Sequence, residues 1–507
     1  MTGIVKSYAH EHGGRVGLLF LLFLLALYNF FISGFNSFAI ICIIPVIIAS
    51  IYLSFKFHHL IFWILIITNY LLHFLSKNQW LPEFIPMSAY NELLEIILIA
   101  IALIDIRSEQ HFGRAMNMMT FAIGLWTLLC AIELFNDTCG LGINIGGWFN
   151  GLRLMAIQLL YFVIIFSLYI DSPEILMKYL RLWAGLALFS VFWTWKQQNI
   201  GFTQNELNWL NSAGATTHLV NGITRYWSTF HDAAIYGCNA AATSVAFLLI
   251  GLTSKTKWDR IFFLITGIAV LWGMFASGTR TAMACFFAGL MVYIVLSKSV
   301  KMAVPIILLG LISFILLAFT NIGQGNNQIR RMRSAFNKTD ASANVRDINK
   351  ATMEKYMKDA PWGIGIGVGE GDVPARNKYV VMSYIAPDSE YIFIWIHTGA
   401  IGVTVFASSM FIMFAGACWI VLFRLKNKSL IGIGAALCCA FASIQLGAYL
   451  NQVLYQYPNG LIFFGGLAIV YLLPYLEKDW DVYEQARLAK QEEKKQLKLE
   501  KKLASRV

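Results

Sequence analysis

Long apolar runs dominate this chain. Runs of about 16–25 residues recur between residues 16 and 476, and a helix of that length crosses the roughly 30 Å of hydrocarbon in a bilayer. Only 13% of the residues are charged and 58% are apolar, whereas a soluble domain has about 25% charged residues. We therefore predict an all-α polytopic membrane protein with about fourteen transmembrane helices, in a range of about 12–14. The candidate spans are 16–33, 37–54, 58–75, 90–106, 115–135, 152–170, 182–198, 233–253, 261–277, 283–297, 302–320, 399–423, 429–449 and 461–476.

Basic residues divide unequally between alternate loops. Short cytoplasmic loops of membrane proteins hold an excess of Lys and Arg. If the C-terminal tail is cytoplasmic, 24 of the 39 Lys and Arg residues lie on its side, and ten of the other fifteen fall in one long loop. We therefore predict that both termini are cytoplasmic. The net charge of +11 does not favour nucleic-acid binding, because the sequence has no soluble basic domain to carry it.

The spans divide the chain into four segments. Residues 1–320 hold transmembrane helices 1–11 with short loops, 321–390 form a large periplasmic loop, 391–476 hold the C-terminal transmembrane helices, and 477–507 form a charged cytoplasmic tail. A helical pattern over 344–358 indicates that the large loop is an ordered, partly helical cap. The tail is typical of a solvated helix with some affinity for anionic membrane lipid. The eight cysteines have the spacing of neither a disulfide framework nor a metal site.

Several arginines occur in short, structured contexts on the predicted outer face. Arg225 precedes an aromatic and polar stretch, and Arg280 lies in the five-residue connection 277–281 between two spans. Such an arginine either extends to the lipid headgroups or binds a phosphate through its planar fork of N–H donors. Arg280 is the stronger phosphate candidate, because positive charge in a short outer loop opposes the usual distribution. The long loop adds Arg330, Arg331, Arg333, Arg346 and Arg376.

Five glycines alternate with other residues in the stretch 361–371, at Gly363, Gly365, Gly367, Gly369 and Gly371. Glycine permits positive φ angles and close approach of the backbone, which are useful around a phosphate or a sugar. The stretch lacks the Gly-Lys-Ser/Thr ending of a nucleotide-binding P-loop. It is therefore either a substrate-contacting loop or a flexible connection.

A pair of carboxylates stands where the chain re-enters the membrane after the large loop. Asp388 either caps the following helix or acts as a general base that accepts a hydroxyl proton at the mouth of an apolar bundle. Glu390 follows two residues later. His397 lies about two and a half helical turns beyond Asp388, and we interpret it as a packing residue.

Together these elements resemble the bacterial O-antigen ligase and O-antigen polymerase superfamily of inner-membrane proteins. Its ligases carry, at the end of a large periplasmic loop, a His followed by Asn, Ser or Gln, nine residues, Gly, three residues and a small residue. Ser389, Gly399 and Val403 match that spacing. Asp388 stands at the position of the His that the family uses to activate the acceptor.

Further elements occur in the order that the family has them. The family's Ser-Arg turn, its early loop arginine and its Pro-x-Gly-x-Gly stretch are matched by Thr279 with Arg280, by Arg346 and by 361–367. The segment 225–232 is similar to an earlier family segment in which an arginine precedes aromatic and polar residues. The resemblance covers about residues 220–410.

The resemblance implies transfer of a glycan from undecaprenyl diphosphate to an acceptor at the periplasmic face, without a nucleotide or an obligatory metal ion. The leaving diphosphate gains negative charge, which arginines stabilise electrostatically. We assign that role to Arg280 and Arg346, with Arg225 as a third candidate, and the base to Asp388. The other candidate substrate-binding residues, some of them alternative bases, are Glu390, His231, Asp232, Gly363, Gly365 and Gly367.

Four functions compete within this frame. We expect a ligase that transfers O-antigen to lipid A–core in lipopolysaccharide biosynthesis, because the spacing before Gly399 is that of the ligases. A polysaccharide polymerase that joins lipid-linked repeat units is the alternative, which the span count and the missing His favour. A ligase with a protein or another surface acceptor is the third. A lipid-linked oligosaccharide flippase, the fourth, would show a pseudo-repeat and charged spans, whereas here the two halves do not match and the predicted spans are nearly uncharged.

Overall fold

The computed structural model describes residues 59–81, 86–104, 109–220, 222–298, 300–325, 327–333, 341–385 and 387–504. The chain forms two compact units, Met1–Trp63 and Ile64–Val507. The predicted spans 16–33 and 37–54 belong to the first unit and lie outside the described residues.

Helices make up nearly all of the described structure. In chain order they are α1 (Leu60–Lys77), α2 (Met87–Ile104), α3 (Glu109–Ala115), α4 (Met118–Phe135), α5 (Ile145–Tyr169), α6 (Pro173–Asn199), α7 (Gln204–Asn211), α8 (Ala215–His218), α9 (Ala233–Thr253), α10 (Lys257–Ala276), α11 (Arg280–Leu296), α12 (Val300–Phe319), α13 (Asn327–Arg333), α14 (Ala341–Met357), α15 (Val380–Tyr384), α16 (Glu390–Arg424), α17 (Lys428–Leu450) and α18 (Gly465–Ala504, preceded by the π-helical turn Gly460–Phe464). A short antiparallel pair, β1 (Leu219–Val220) and β2 (Ile223–Thr224), lies between α8 and α9.

Within the described residues, ten helices are long and apolar enough to cross a membrane. They are α1, α2, α4, α5, α6, α9, α10, α16, α17 and α18. The apolar helix α11, with 17 residues, is shorter, and α12 occupies the predicted span 302–320. The protein is therefore an all-α polytopic membrane protein, as predicted. The total of about fourteen spans and the periplasmic side of the large loop stay predictions.

Two helices, α9 and α17, form the centre of the bundle. Helix α9 packs against α10, α11 and α17, and small residues allow the close approach. A methyl group on Gly251 of α9 would lie 2.8 Å from Leu264 of α10, and one on Gly267 would lie 2.8 Å from Leu248. Helix α2, at the periphery, exposes Leu93, as expected for a helix that faces lipid.

Ion pairs hold the tail helix α18 against loops at one end of the bundle. Lys255 Nζ donates to Glu484 Oε2 at 2.7 Å. Asp259 pairs with Arg181 and Arg487 at N–O distances of 2.9 and 2.6 Å. These loops are the ones that the distribution of basic residues groups with the tail, so the structure agrees with that grouping. The assignment of this end to the cytoplasm stays a prediction.

The described part of residues 321–389, which we call the outer segment, contributes most of an apolar cluster that packs against α16. Helix α14 in this segment occupies the stretch 344–358 that the sequence pattern predicts to be helical. Ser389 caps α16, with its hydroxyl accepting the Ile392 N–H at 3.2 Å, so the alternative of Asp388 as the cap is wrong. The buried members of the cluster are Cys139, Met353, Met357, Ala360, Ile364, Val373, Tyr379, Met382 and Ile396.

Candidate functional site

Helix α16 is broken at Gly399, whose φ is +65°. The break lies near the end of the bundle that the sequence predicts to be periplasmic, which we call the outer end. An α-helix bonds each carbonyl to the N–H four residues further on, so the break interrupts the bonds of the preceding turn. The glycine-rich stretch supplies the replacements. They run from Ile364 N–H to the Ile396 carbonyl (2.9 Å), from Gly365 N–H to the His397 carbonyl (3.0 Å) and from Ile401 N–H to the Pro361 carbonyl (3.2 Å).

The glycines of this stretch allow two backbones to touch. A methyl group on Gly363, where φ is +75°, would lie 2.5 Å from the Gly399 nitrogen. A methyl group on Gly367, where φ is +80°, would overlap the carbonyl group of Gly147. Chain packing therefore accounts for glycine at both positions, and the stretch is not a loose connection. A substrate-contacting role for Gly363, Gly365 and Gly367 stays a prediction.

A cavity of about 740 Å³ opens beside the stretch. Its wall comes from the outer ends of α1 and α2, from α5, from the glycine-rich stretch, from α15 and α16, and from the loop before α18. This volume is in the range of small-molecule sites, and the mixture of donors and acceptors suits a hydroxyl-rich ligand such as a saccharide. The polar residues of the wall include His73, Ser88, Asn150, Gln158, Glu370, Ser383, Glu390, His397, Gln452, Gln456 and Tyr457.

Two carboxylates, Glu370 and Glu390, line the cavity, and Glu390 is the one at the start of α16. Its side chain is buried, and Oε2 accepts the Leu454 N–H at 2.9 Å. Glu390 thereby fixes the start of α16 to the loop between α17 and α18.

The predicted base, Asp388, lies in the chain between two wall residues, Pro387 and Glu390, and is not itself one of the residues that line the cavity. It is half-buried, and its neighbour Pro387 lines the cavity. His397, which we interpreted from the sequence as a packing residue, also lines the cavity, and its Nδ1–H donates to the Gly365 carbonyl at 3.1 Å. The beginning of α16 therefore places several titratable groups around one side of the cavity.

His231 and Asp232 lie just before α9, next to a residue of the cavity wall. The His231 ring packs edge-on to the wall residue His73, with 5.2 Å between ring centres. Burial opposes the charged form of Asp232, but the nearby imidazole of His231, with Nδ1 3.8 Å from Oδ2, and the backbone hydrogen bond from Ile235 outweigh burial and lower the pKa of Asp232. Lys77 Nζ donates to the His231 carbonyl at 2.5 Å and lies 3.4 Å from the ring centre of Trp209. A fixed carboxylate and imidazole pair results.

Three arginines converge on the turn before α11. Arg225 Nη2 donates to Thr279 Oγ1 at 3.0 Å, and Arg331 Nε donates to the Gly278 carbonyl at 2.7 Å. Arg280 is the first residue of α11. Burial, together with the nearby charge of Arg280, lowers the pKa of Arg225. This arginine cluster, Arg225, Arg280 and Arg331, is suited to a multiply charged anion such as a diphosphate.

Contacts connect the arginine cluster to the segment 231–233, which lies beside the cavity wall, and to an apolar groove. Thr279 Oγ1, which accepts from Arg225, donates to the Ala233 carbonyl at 2.7 Å, one residue after Asp232. On the other side, α13 carries Arg331 and also lines the groove, which has a volume of about 330 Å³. The groove residues are Leu271, Met274, Phe275, Met283, Phe286, Phe287, Leu316, Ile322, Ile329 and Arg333.

One predicted site residue cannot be compared with the structure, and the structure adds wall residues that the sequence motifs do not contain. Arg346 lies on α14, but its side chain is outside the described part of the chain, so its role at the diphosphate stays a prediction. His73 and Gln158 belong to the cavity wall, although no sequence motif contains them. A polar residue within an apolar run is the one signal that points to such residues.

Sequence comparison finds a family match for a part of the chain that contributes to this site. Residues 262–407 match the sequence model of a family described as O-antigen ligase. The chain carries an O-antigen ligase domain. The matched segment includes Arg280, the glycine-rich stretch, Asp388 and Glu390, whereas Arg225 precedes it. No curated protein is significantly similar to this chain.

The match confirms the resemblance to the O-antigen ligase and polymerase superfamily. The family supports glycan transfer of the ligase or polymerase type, with lipid-linked glycan substrates in general. The apolar helices and the family together describe a multi-pass bacterial membrane protein.

The packing of the glycine-rich stretch on α16 predicts different losses of stability for two glycine substitutions. Gly363→Ala should lower the free energy of unfolding by at least about 3 kcal/mol, because it adds backbone overlap to an unfavourable φ. Gly371→Ala should cost only about 1 kcal/mol, since φ is +85° there but no atom lies within 4 Å of the added methyl group. Thermal unfolding of the purified variants in detergent measures both effects. Equal losses would contradict the close packing of the stretch on α16.

Proposed function

We propose that this protein transfers an O-antigen glycan from undecaprenyl diphosphate to lipid A–core at the periplasmic face of the bacterial inner membrane. The observation that carries the proposal is the position of the arginine cluster. It lies between an apolar groove in the membrane-spanning region and a polar cavity at the outer end of the bundle. A donor with a lipid tail, a diphosphate and a glycan matches these regions in order, with its tail in the groove, its diphosphate at the arginine cluster and its glycan in the cavity.

The donor binds by the chemistry of each part. The isoprenoid tail occupies the groove, whose lining is apolar apart from Arg333. The diphosphate lies at Arg225, Arg280 and Arg331, where planar guanidinium groups form paired hydrogen bonds with phosphate oxygens. As the bond between the sugar and the diphosphate breaks, negative charge grows on the leaving oxygen. Fixed arginines stabilise that charge more than they stabilise the ground state.

The acceptor reacts from the cavity. Its hydroxyl oxygen attacks the anomeric carbon, the bond from that carbon to the diphosphate oxygen breaks, and the hydroxyl proton passes to a base. We assign the base to Asp388, which stands at the position of the family His and next to the wall. Glu390 is less suited, because its buried carboxylate already accepts the Leu454 N–H at 2.9 Å. We assign Glu390 the positioning of α16.

Removal of one arginine from the cluster should slow transfer strongly. Arg280→Gln and Arg225→Gln should each reduce kcat by about 10²–10³-fold, the usual cost of losing one donor to a developing oxyanion. The rate of glycan transfer in proteoliposomes measures the effect. Arg376→Gln is the matched control, since Arg376 is an exposed arginine of the outer segment. Wild-type rates in both cluster variants would contradict the diphosphate assignment.

The two carboxylates at the start of α16 should behave differently. Asp388→Asn should lower kcat by at least about 10²-fold, as the loss of a general base does, with an unchanged unfolding temperature. Glu390→Gln should lower the unfolding temperature, because it weakens the bonds to the loop before α18. Parallel transfer assays and thermal unfolding distinguish the two. A slow Glu390→Gln variant of normal stability, with a fast Asp388→Asn variant, would move the base to Glu390.

The phenotype of a deletion strain should identify the reaction. For a ligase, long glycan accumulates on undecaprenyl diphosphate and lipid A–core stays bare. Gel electrophoresis of lipopolysaccharide and mass spectrometry of lipid-linked glycans measure both. A single repeat unit on the core would indicate a polymerase instead, and lipid-linked glycan retained on the cytoplasmic face would contradict transfer altogether.

A further inference from the structure

A second space lies beside the cavity, between α2 and α5, and shares the wall residue Asn150 with it. It has a volume of about 410 Å³ and is lined by Glu92, Ile96, Phe149, Asn150, Arg153, Ile157 and Tyr161. We infer that this space, the α2–α5 opening, binds the phosphorylated head of a lipid-anchored acceptor and admits the acceptor from the bilayer. The inference rests on the proposed glycan transfer and adds a separate site for the second substrate.

The α2–α5 opening faces the region where lipid chains lie. Both helices are among the candidate membrane spans. Ile96 and Phe149, on its two sides, are each 52% exposed, and the neighbouring Leu93 is 53% exposed. Large apolar side chains exposed within membrane-spanning helices contact lipid, so a lipid can reach the opening without leaving the bilayer.

A charged pair inside the opening supplies a site for phosphate. Arg153 Nη1 donates to both oxygens of Glu92 at 2.8 and 2.7 Å, and Nη2 donates to Asn150 Oδ1 at 2.7 Å. Ionised side chains within membrane spans are costly and usually functional. Arg153 also begins a π-helical turn, Arg153–Ile157, and such turns are frequent at functional sites.

The guanidinium group keeps donors for a ligand. Arginine has five N–H bonds, and the bonds to Glu92 and Asn150 use two on Nη1 and one on Nη2. Neither the Nε–H nor the second Nη2–H bonds to a described residue. Both donors can bond to the oxygens of a phosphate group. Glu92 meanwhile balances the charge of Arg153 when no lipid is bound.

Polar contacts join the α2–α5 opening to the cavity. Asn150 lines both spaces. Gln158 Nε2 donates to Glu92 Oε1 at 3.2 Å and to the Tyr457 hydroxyl at 3.3 Å, and Tyr457 lines the cavity. A phosphorylated head held at Arg153 therefore has its attached saccharide directed toward the residues that we assign to the reaction.

The two lipid-facing spaces lie on different sides of the bundle. The α2–α5 opening is bounded by α5, which packs on α18, and the donor groove is bounded by α11, which packs on α17. Helices α17 and α18 pack against each other and so separate the two. Transfer between two lipid-anchored molecules needs two such entrances, whereas a protein or a soluble sugar needs only one. The acceptor is therefore a lipid with a phosphorylated head, as both lipid A–core and a polyprenyl-diphosphate repeat unit are.

Site-specific photo-crosslinking tests the two entrances separately. Benzoylphenylalanine replaces Phe149 in the α2–α5 opening, Phe275 in the donor groove, or Phe411, which is 70% exposed on α16, as the control. The variants are placed in phosphatidylethanolamine and phosphatidylglycerol vesicles that contain undecaprenyl-diphosphate oligosaccharide. Radiolabelled lipid A–core or a radiolabelled polyprenyl-diphosphate single repeat unit is added in separate arms.

We expect the Phe149 probe to capture the acceptor lipid that the protein glycosylates, the Phe275 probe to capture the donor, and the Phe411 probe to capture phospholipid alone. The arm that crosslinks at Phe149 distinguishes ligase from polymerase. Phospholipid alone at Phe149, with donor captured at Phe275, would overturn the acceptor site and leave the proposed transfer standing. Failure to capture donor at Phe275 would count against the proposed function itself.

A kinetic comparison provides the second readout. The double variant Glu92→Gln with Arg153→Gln removes both charges together, so neither is left buried without its partner. The KM for the lipid-anchored acceptor should rise at least about tenfold, the cost of a lost charge-assisted contact, with the KM for donor unchanged. The matched control is Asp359→Asn with Lys378→Gln, an exposed ion pair of the outer segment. An unchanged acceptor KM in the Glu92 and Arg153 variant would overturn the proposal.

Discussion

The replacement of helical hydrogen bonds at Gly399 is the constraint on which the rest of the site depends. A broken helix leaves backbone groups that cost several kcal/mol each in an apolar environment. The glycine-rich stretch bonds to those groups, and only glycine lets the two backbones meet at Gly363 and Gly367. The outer segment therefore has to fold against α16. That contact brings Asp388, Glu390 and the stretch itself to one side of the cavity.

Charged residues form separate groups around the cavity. The arginine cluster adjoins an apolar groove on one side and the pair of His231 and Asp232 on the other. Arg153 and Glu92 form a second charged centre within the membrane-spanning region. At the opposite end of the bundle, Lys255 pairs with Glu484 of the tail helix, and Arg181 pairs with Asp259.

The sequence predicted much of the fold because apolar run length is a direct consequence of bilayer thickness. It also predicted the outer helix over 344–358 and the importance of 361–371, since glycine spacing reflects backbone geometry. It did not predict that these glycines contact α16, or that His397 faces the cavity, because no local pattern specifies which distant segments meet. Isolated polar residues such as Gln158 and Arg153 carried too little local signal to be grouped into a site.

The amino-acid sequence by itself determined that this is a helical membrane protein with an O-antigen ligase domain, since hydrophobic length and motif spacing are properties of the chain alone. Tertiary structure decided which charges act together. Arg225 and Arg331 are far apart in sequence and meet only at the turn before α11. Glu92 and Arg153 meet only because α2 packs on α5. Hydrogen bonds and ion pairs act over a few ångströms, so the packing of helices, and not their order in the chain, assembled the cavity and its two entrances.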